Sequence, residues 1–160
     1  MLDKLEIFLS DTAKRILFVG IGNVLRRDDG AGVYVTRGIE TNDHILTLTV
    51  ETSIENYIGK INSIDPDILV LVDCTELKGK PGTIRFLSVG EIEDITFNTH
   101  NISLKQISEF FRMPVFIIGV QPLSIGFGEM ISPDVLKSAD RIIQLVNMYA
   151  TAGSDMPAER

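Results

Sequence analysis

The chain has 160 residues, 44% of them hydrophobic, so it is long enough for one globular domain with a sizeable core. Its 15 basic and 22 acidic residues give a net charge of −7 without a basic cluster, which argues against nucleic acid or an anionic membrane as partner. No apolar run approaches the roughly 20 residues that would cross a bilayer. The N-terminus lacks the apolar core of a signal peptide, and the single Cys74 excludes an internal disulfide. These features predict a cytoplasmic protein.

Predicted helices and strands alternate along the chain. In chain order we expect a short helix at 2–9, a strand at 15–21, a helix at 30–40, a strand at 45–50, a helix at 54–64 capped by Ser53, strands at 67–72 and 83–87, a helix at 103–111, a strand at 114–120 and a helix from Pro133 to about Ala150. This alternation predicts an α/β fold, a three-layer α/β/α sandwich around a mostly parallel, twisted sheet. We expect residues 1–14 to be an N-terminal extension, 15–151 a single domain and 152–160 a flexible tail.

The first predicted core strand runs into an unusual loop. Its sequence from Gly20 to Gly32 is GIGNVLRRDDGAG, with two adjacent carboxylates, Asp28 and Asp29, between glycines. Glycine allows unusual backbone angles and close approach, and open α/β sheets keep their sites at the carboxyl ends of strands. The loop is therefore predicted to position a carboxylate, on a metal ion in the most specific interpretation.

A dinucleotide site is the first alternative for a Gly-x-Gly that follows a strand. The corresponding fingerprint needs a third glycine where this chain has Leu25. The acids Asp28 and Asp29 also follow where a pyrophosphate needs free amides at a helix N-terminus. The sequence therefore disfavours dinucleotide binding.

Two further residues with metal-binding side chains are predicted near the same sheet edge. Asp73 ends the apolar strand at 67–72, and His100 lies in a polar loop before the next helix. Two carboxylates and one imidazole would suit a borderline divalent metal such as zinc or nickel. Helix capping by Asp28 or Asp29, a turn role for Asp73 and a solvated His100 remain open alternatives at this point.

Four ordered motifs make the chain resemble the [NiFe]-hydrogenase maturation endopeptidases. The family has a Gly-rich Asp loop, an apolar strand ending in Asp and followed by a Pro-Gly turn, a Thr-His motif, and a Gly-x-Gln-Pro motif. Here these are Gly20–Gly32, Val70–Asp73 with Pro81 and Gly82, Thr99–Leu104, and Gly119–Pro122 followed by the segment around Ser132 and Pro133. The chain departs from the family at 51–53, where members often have a Gly-Gly-(Thr/Ser) loop.

The resemblance implies a set of site residues. The metal-contacting and catalytic positions of the family fall on Asp29, Asp73 and His100, and family members carry Asp or Glu at the first of them. Weaker substrate or loop-support roles are implied for Gly22, Asn23, Asp28 and Gln121. The implied fold is an α/β sandwich of the phosphorylase/hydrolase-like type.

The resemblance also implies the activity. The protein would remove the C-terminal extension of a [NiFe]-hydrogenase large-subunit precursor after nickel insertion and would use the precursor's nickel for recognition. Zinc or cadmium would be expected to occupy the site in vitro. Attack by a metal-bound water and attack by a water that a carboxylate deprotonates both remain open. The protein is expected to act as a monomer, with no nucleic-acid or membrane partner.

Two other functions stay open from the sequence. One is a non-catalytic, nickel-sensing assembly factor or metallochaperone for the same large subunit. The other is a peptidase of the same fold that acts on another precursor, such as a germination-type protease. The Thr-His and Gln-Pro motifs favour the hydrogenase branch.

Overall fold

The fold is built on a five-stranded sheet. The computed structural model describes residues 2–51, 53–91 and 104–154. Within these ranges the elements are α1 (Asp3–Ser10), β1 (Ile16–Gly20), α2 (Ala31–Gly38), β2 (Ile45–Thr49), α3 (Ile58–Ile64), β3 (Ile68–Cys74), β4 (Ile84–Ser88), α4 (Leu104–Ser108), β5 (Val115–Val120) and α5 (Pro133–Ser154). Among the helices of these ranges, none combines the length and apolar character that crossing a bilayer requires.

The strand order creates a topological switch point. The order is β2-β1-β3-β5-β4, with all pairs parallel except β4 and β5, which are antiparallel. The chain goes from β1 to a neighbour on one side and then returns to β3 on the other. In sheets of this kind, ligands bind in the crevice beyond the carboxyl ends of the two strands where the order reverses. The segments that follow β1 and β3 therefore flank the expected site.

Side-chain alternation along the strands divides the core into two layers. Phe18 and Val70 face one layer, which also buries apolar residues of α1, α2 and α5. Leu17 and Leu69 face the other layer, which buries residues of α3 and the α4 region. Strands that are buried on both faces read as continuous apolar runs, which is why 68–72 was recognisable in the sequence. The predicted three-layer sandwich is confirmed.

Helix α1 is part of the core. Leu5 and Leu9 are buried in the same layer as α5. The buried ring of His44, just before β2, contacts the Leu9 carbonyl oxygen at 3.0 Å through Nε2 and the Lys14 carbonyl oxygen through Nδ1. The predicted amphipathic N-terminal helix is thus confirmed and is attached to the sheet by apolar and polar contacts.

The helix predicted at 54–64 is different in its first turn. Ser53 has left-handed backbone angles (φ 63°, ψ 56°) and makes no capping hydrogen bond through its side chain, so the predicted N-cap is wrong. A capping residue needs extended backbone angles to direct its oxygen at the helix amides. The chain instead forms a 3-10 turn at Ile54–Tyr57 before α3 begins.

Helix α4 also ends before the predicted Phe111. The Asn62 side chain accepts a hydrogen bond from the Arg112 amide at 3.0 Å and donates one to the Phe110 carbonyl oxygen at 2.9 Å. These bonds from α3 satisfy two backbone groups just beyond α4, which ends at Ser108.

Gly32 allows α2 to pack directly onto the ends of β1 and β3. A Cβ atom there would lie 2.0 Å from the Val72 carbonyl oxygen and 2.6 Å from that of Ile21, and neither backbone atom can move freely. We expect Gly32→Ala to lower the free energy of unfolding by about 3 kcal/mol. The matched control is Gly59→Ala in α3, where a Cβ would meet nothing within 4 Å. That change should raise stability by about 0.7 kcal/mol, and equal urea midpoints for the two variants would contradict the close-packing explanation.

Candidate functional site

The loop after β1 depends on a glycine at its start. Gly22 has φ +138°, and a Cβ atom there would lie 1.8 Å from the Asp29 carbonyl oxygen. Its amide donates to the Glu51 carbonyl oxygen at 2.5 Å, which joins the loop to the segment that follows β2. Only glycine combines this backbone angle with this contact, so Gly22 fixes where the carboxylate of Asp29 lies.

Asn23 organises the same loop through two local hydrogen bonds. Its side-chain Oδ1 accepts from the Leu25 amide at 2.9 Å, and its own amide donates to Asp29 Oδ2 at 2.9 Å. A short polar side chain that replaces a backbone partner in this way is the usual reason for Asn in a tight turn. Asn23 therefore connects the turn geometry to the orientation of the Asp29 side chain.

Asp28 is fully buried and accepts four hydrogen bonds from a distant segment. Oδ2 accepts from the amides of Leu123 and Ser124 and from the Ser132 hydroxyl, each at 2.9 Å, and Oδ1 accepts from the Ser132 amide at 2.6 Å. The Asp28 amide in turn donates to the Ser124 carbonyl oxygen at 3.1 Å. Both carboxylate oxygens are thus engaged, and Asp28 holds the 123–132 segment against the loop.

Asp29 is 3% exposed and differs from its neighbour in how its oxygens are used. Within the described ranges, its carboxylate accepts one hydrogen bond, from Asn23 to Oδ2, so no donor in this part of the chain engages Oδ1. An ionised carboxylate has about four lone-pair sites. Asp29 therefore keeps capacity for a metal ion or a water molecule, whereas Asp28 has little left.

Asp73 lies at the carboxyl end of β3, directly across the switch point. It is 1% exposed, pairs with Gly119 of β5 in the sheet, and accepts a hydrogen bond from the Cys74 amide to Oδ1 at 2.8 Å. The Ile21 amide donates to the Val72 carbonyl oxygen at 3.0 Å, so the loop with Asp29 leaves β1 beside the end of β3. The topology thereby brings the loops of both predicted carboxylates to one edge.

The pKa of the Cys74 thiol reflects its burial and the negative charges at this edge of the sheet. Burial is the main cause that raises the pKa of the Cys74 thiol well above its usual range, and the negative charges of Asp73, Asp29 and Asp28 add to it. A buried neutral thiol is a poor nucleophile. Cys74 is therefore a small, buried core residue beside the carboxylates.

Gln121 is buried at the end of β5 and uses its amide within the protein. Oε1 accepts from the Leu77 amide at 2.6 Å, and Nε2 lies 3.3 Å from both Glu76 Oε2 and the Pro122 carbonyl oxygen. These contacts connect the turn after β3 to the end of β5. The arrangement gives Gln121 a loop-supporting geometry, next to the segment that Asp28 holds.

The third predicted ligand, His100, lies outside the described residues, as does most of the Thr-His motif. Among the residues that are described, no three His, Cys, Asp or Glu side chains are grouped closely enough to hold a metal ion. Asp29 and Asp73 are therefore the two candidate ligands that lie within the described residues, and both offer carboxylate oxygens.

The sequence did not reveal the partners of Asp28. Leu123, Ser124 and Ser132 are 95 to 104 residues away in the chain, and three of the four bonds come from ordinary backbone amides with no compositional signal. The one available indication was that Ser132 belongs to the fourth motif. The Ser132 hydroxyl donates to Asp28.

Comparison with known proteins agrees with the resemblance to hydrogenase maturation endopeptidases that the sequence motifs indicate. The family model described as hydrogenase maturation protease (HycI) matches residues 40–148, a range that includes Asp73 and His100. A putative hydrogenase maturation protease of Methanocaldococcus jannaschii is 27% identical over 157 residues, with 89% of each chain covered. The hydrogenase 3 maturation protease of Escherichia coli K12 is 25% identical over 130 residues, with 78% of this chain and 83% of that protein covered.

A solved structure covers more of the chain than the family model does. The crystal structure of the [NiFe] hydrogenase maturation protease HycI from Thermococcus kodakarensis superimposes with a TM-score of 0.79 at 29% identity, covering 92% of this chain and 99% of that one. These relatives are proteases, so the comparisons favour an endopeptidase over a non-catalytic assembly factor. The chain belongs to the hydrogenase maturation protease family.

Proposed function

We propose that this endopeptidase removes the C-terminal extension of a [NiFe]-hydrogenase large-subunit precursor, and that it recognises the nickel ion which the precursor already holds. The observation that carries this proposal is the pair of buried carboxylates at the switch point, Asp29 in the loop after β1 and Asp73 at the end of β3, in a member of the hydrogenase maturation protease family. We assign His100 as the third contact on the basis of the Thr-His motif.

The donor set is suited to such a recognition step. Carboxylate oxygens and an imidazole nitrogen bind borderline divalent metals, nickel and zinc included. Asp29 is the better ligand of the adjacent pair, since both oxygens of Asp28 are already engaged with the 123–132 segment. A precursor without nickel would offer these carboxylates nothing to bind, and the two negative charges would then disfavour docking.

The peptide bond is cleaved by water in this proposal. The water oxygen forms a bond to the carbonyl carbon, the C–N bond breaks, and a proton moves to the departing amine. Asp29 or Asp73 can accept the proton from the attacking water, and a metal ion in contact with that water would ease its deprotonation. The buried thiol of Cys74 contributes no nucleophile.

The test is the intact mass of a candidate precursor after incubation with the protein, with nickel-loaded and nickel-free precursor in parallel. Loss of one discrete C-terminal peptide from the nickel-loaded sample alone is the expected result. Equal cleavage of both samples would overturn nickel recognition and leave the peptidase. Stable binding without cleavage would overturn the peptidase assignment for that client.

A further inference from the structure

Four large apolar side chains are exposed on the two segments that frame the site. Leu25 lies in the loop after β1, and Leu123, Phe127 and Met130 lie in the 123–132 segment; Phe127 is 87% exposed and Met130 is 79% exposed. We refer to these four residues as the apolar patch. Single exposed apolar residues are ordinary, but several together next to a functional site indicate an interaction surface.

The backbone beneath the patch is fixed. The Gly128 amide donates to the Leu25 carbonyl oxygen at 2.8 Å, and the Arg27 amide donates to the Gly128 carbonyl oxygen at 2.7 Å, so the two segments pair directly. Asp28, which is buried, accepts four further hydrogen bonds from the 123–132 segment. Apolar side chains on a preorganised backbone lose less conformational entropy when a partner binds than the same side chains on a free loop.

Two surface pockets adjoin the patch and could receive side chains of a partner. One, of about 340 Å³, is lined by Leu123 and Met130 together with Arg27. The other, of about 470 Å³, lies between the loop and helices α2 and α5, where the Tyr34 hydroxyl donates to Asp140 at 2.7 Å. Protein interfaces concentrate their binding energy where apolar anchors fill pockets of this kind.

The position of the patch identifies its occupant. The patch is continuous with the loop that carries Asp29, so a protein whose chain reaches Asp29 must lie against it. The exposed Arg26 and Arg27 give this surface cationic groups, close to the carboxylate of Glu129, in a chain with a net charge of −7. The surface is suited to a protein that offers apolar side chains near carboxylates.

We propose that the apolar patch is the docking surface for the large-subunit precursor and contacts it outside the cleaved peptide bond. This inference rests on the proposed function and adds a second contact to it, independent of nickel. Docking through the patch would lower KM for the precursor and leave the chemical step to Asp29 and its partners. Phe127 and Met130, as the most exposed members, contribute the largest share.

The test compares patch variants with matched variants elsewhere. Phe127→Ser, Met130→Ser and the double variant are measured with nickel-loaded precursor, for kcat and KM of cleavage and for binding on a biosensor surface. Phe110→Ser and Ile7→Ser are the controls, since these side chains are 65% and 66% exposed but lie far from the carboxyl edge of the sheet. Each patch substitution should raise KM and Kd about tenfold, with kcat unchanged, and the double variant about 100-fold. The controls should stay within about twofold of the unsubstituted protein.

Other outcomes separate the two proposals. Cleavage by the unsubstituted protein with unchanged KM in the double variant would overturn the docking surface and leave the proposed function. A fall in kcat at constant KM would also overturn it, because the segment would then act on the chemistry. Light scattering that shows a dimer abolished by Phe127→Ser would assign the patch to a second copy of this chain. An unsubstituted protein that neither binds nor cleaves the precursor would overturn both proposals.

Discussion

Replacing Asp29 with asparagine is expected to reduce precursor processing by about 1,000-fold while leaving the loop in place. An amide oxygen can still accept the hydrogen bond from the Asn23 amide, which holds Oδ2 at 2.9 Å in this structure. The substitution removes the negative charge and replaces the other oxygen with an NH2 group, which can neither bind a cation nor accept a proton. The measurement is kcat/KM for nickel-loaded precursor, with the thermal midpoint of unfolding recorded on the same samples.

The conservative variant Asp29→Glu is the matched comparison, because the family pattern accepts either acid at this position. It should recover a substantial part of the activity that Asp29→Asn loses. Processing that is unaffected in Asp29→Asn would sink the assignment of this carboxylate. A large fall in thermal stability would instead mean that Asp29 serves the fold.

Replacing Asp28 with alanine is expected to destabilise the protein by about 4 kcal/mol. Four donors from the 123–132 segment would lose their acceptor in a site that is fully buried. Asp28→Asn should cost less, about 2 kcal/mol, since its amide oxygen can take the place of Oδ2 and keep three of the four bonds. The remaining NH2 group would then face the Ser132 amide, donor against donor.

Chemical denaturation measures these differences, and hydrogen exchange locates them. The Leu123, Ser124 and Ser132 amides should lose protection in Asp28→Ala. Asp43→Ala removes an exposed carboxylate and should stay within about 0.5 kcal/mol of the unsubstituted protein. Unchanged protection of the three amides would show that the segment is held by other contacts.

The elements that the sequence predicted correctly are those with strong local signals. The apolar run at 68–72 is typical of a strand buried on both faces. The glycines around Asp28 and Asp29 predicted a tight loop at the end of β1. Once the alternation of strands and helices was recognised, the mostly parallel sheet that it implies placed the carboxyl ends of β1 and β3 at one edge. The general position of Asp29 and Asp73 followed from that alone.

The errors concern residues whose conformation is decided by distant groups. Ser53 is a residue type that often caps helices, but its left-handed backbone angles prevent its side chain from capping this one. The segment after α4 is held by the Asn62 side chain, about 50 residues earlier in the chain. The partition of roles between Asp28 and Asp29 also could not be derived from spacing. It depends on which carboxylate the 123–132 segment engages.

The contacts of Asp28 also carry a consequence for how the enzyme is made. Its hydrogen bonds span 95 to 104 residues, so the full set of four forms only after Ser132 has been synthesised and has left the ribosome. Contacts of such large sequence separation close late in folding, because the intervening chain must first be ordered. A nascent or truncated chain that ends before Ser132 would leave the buried Asp28 carboxylate without two of its four donors, beside the loop that carries Asp29. The proteolytic activity should therefore appear only in chains that extend past Ser132.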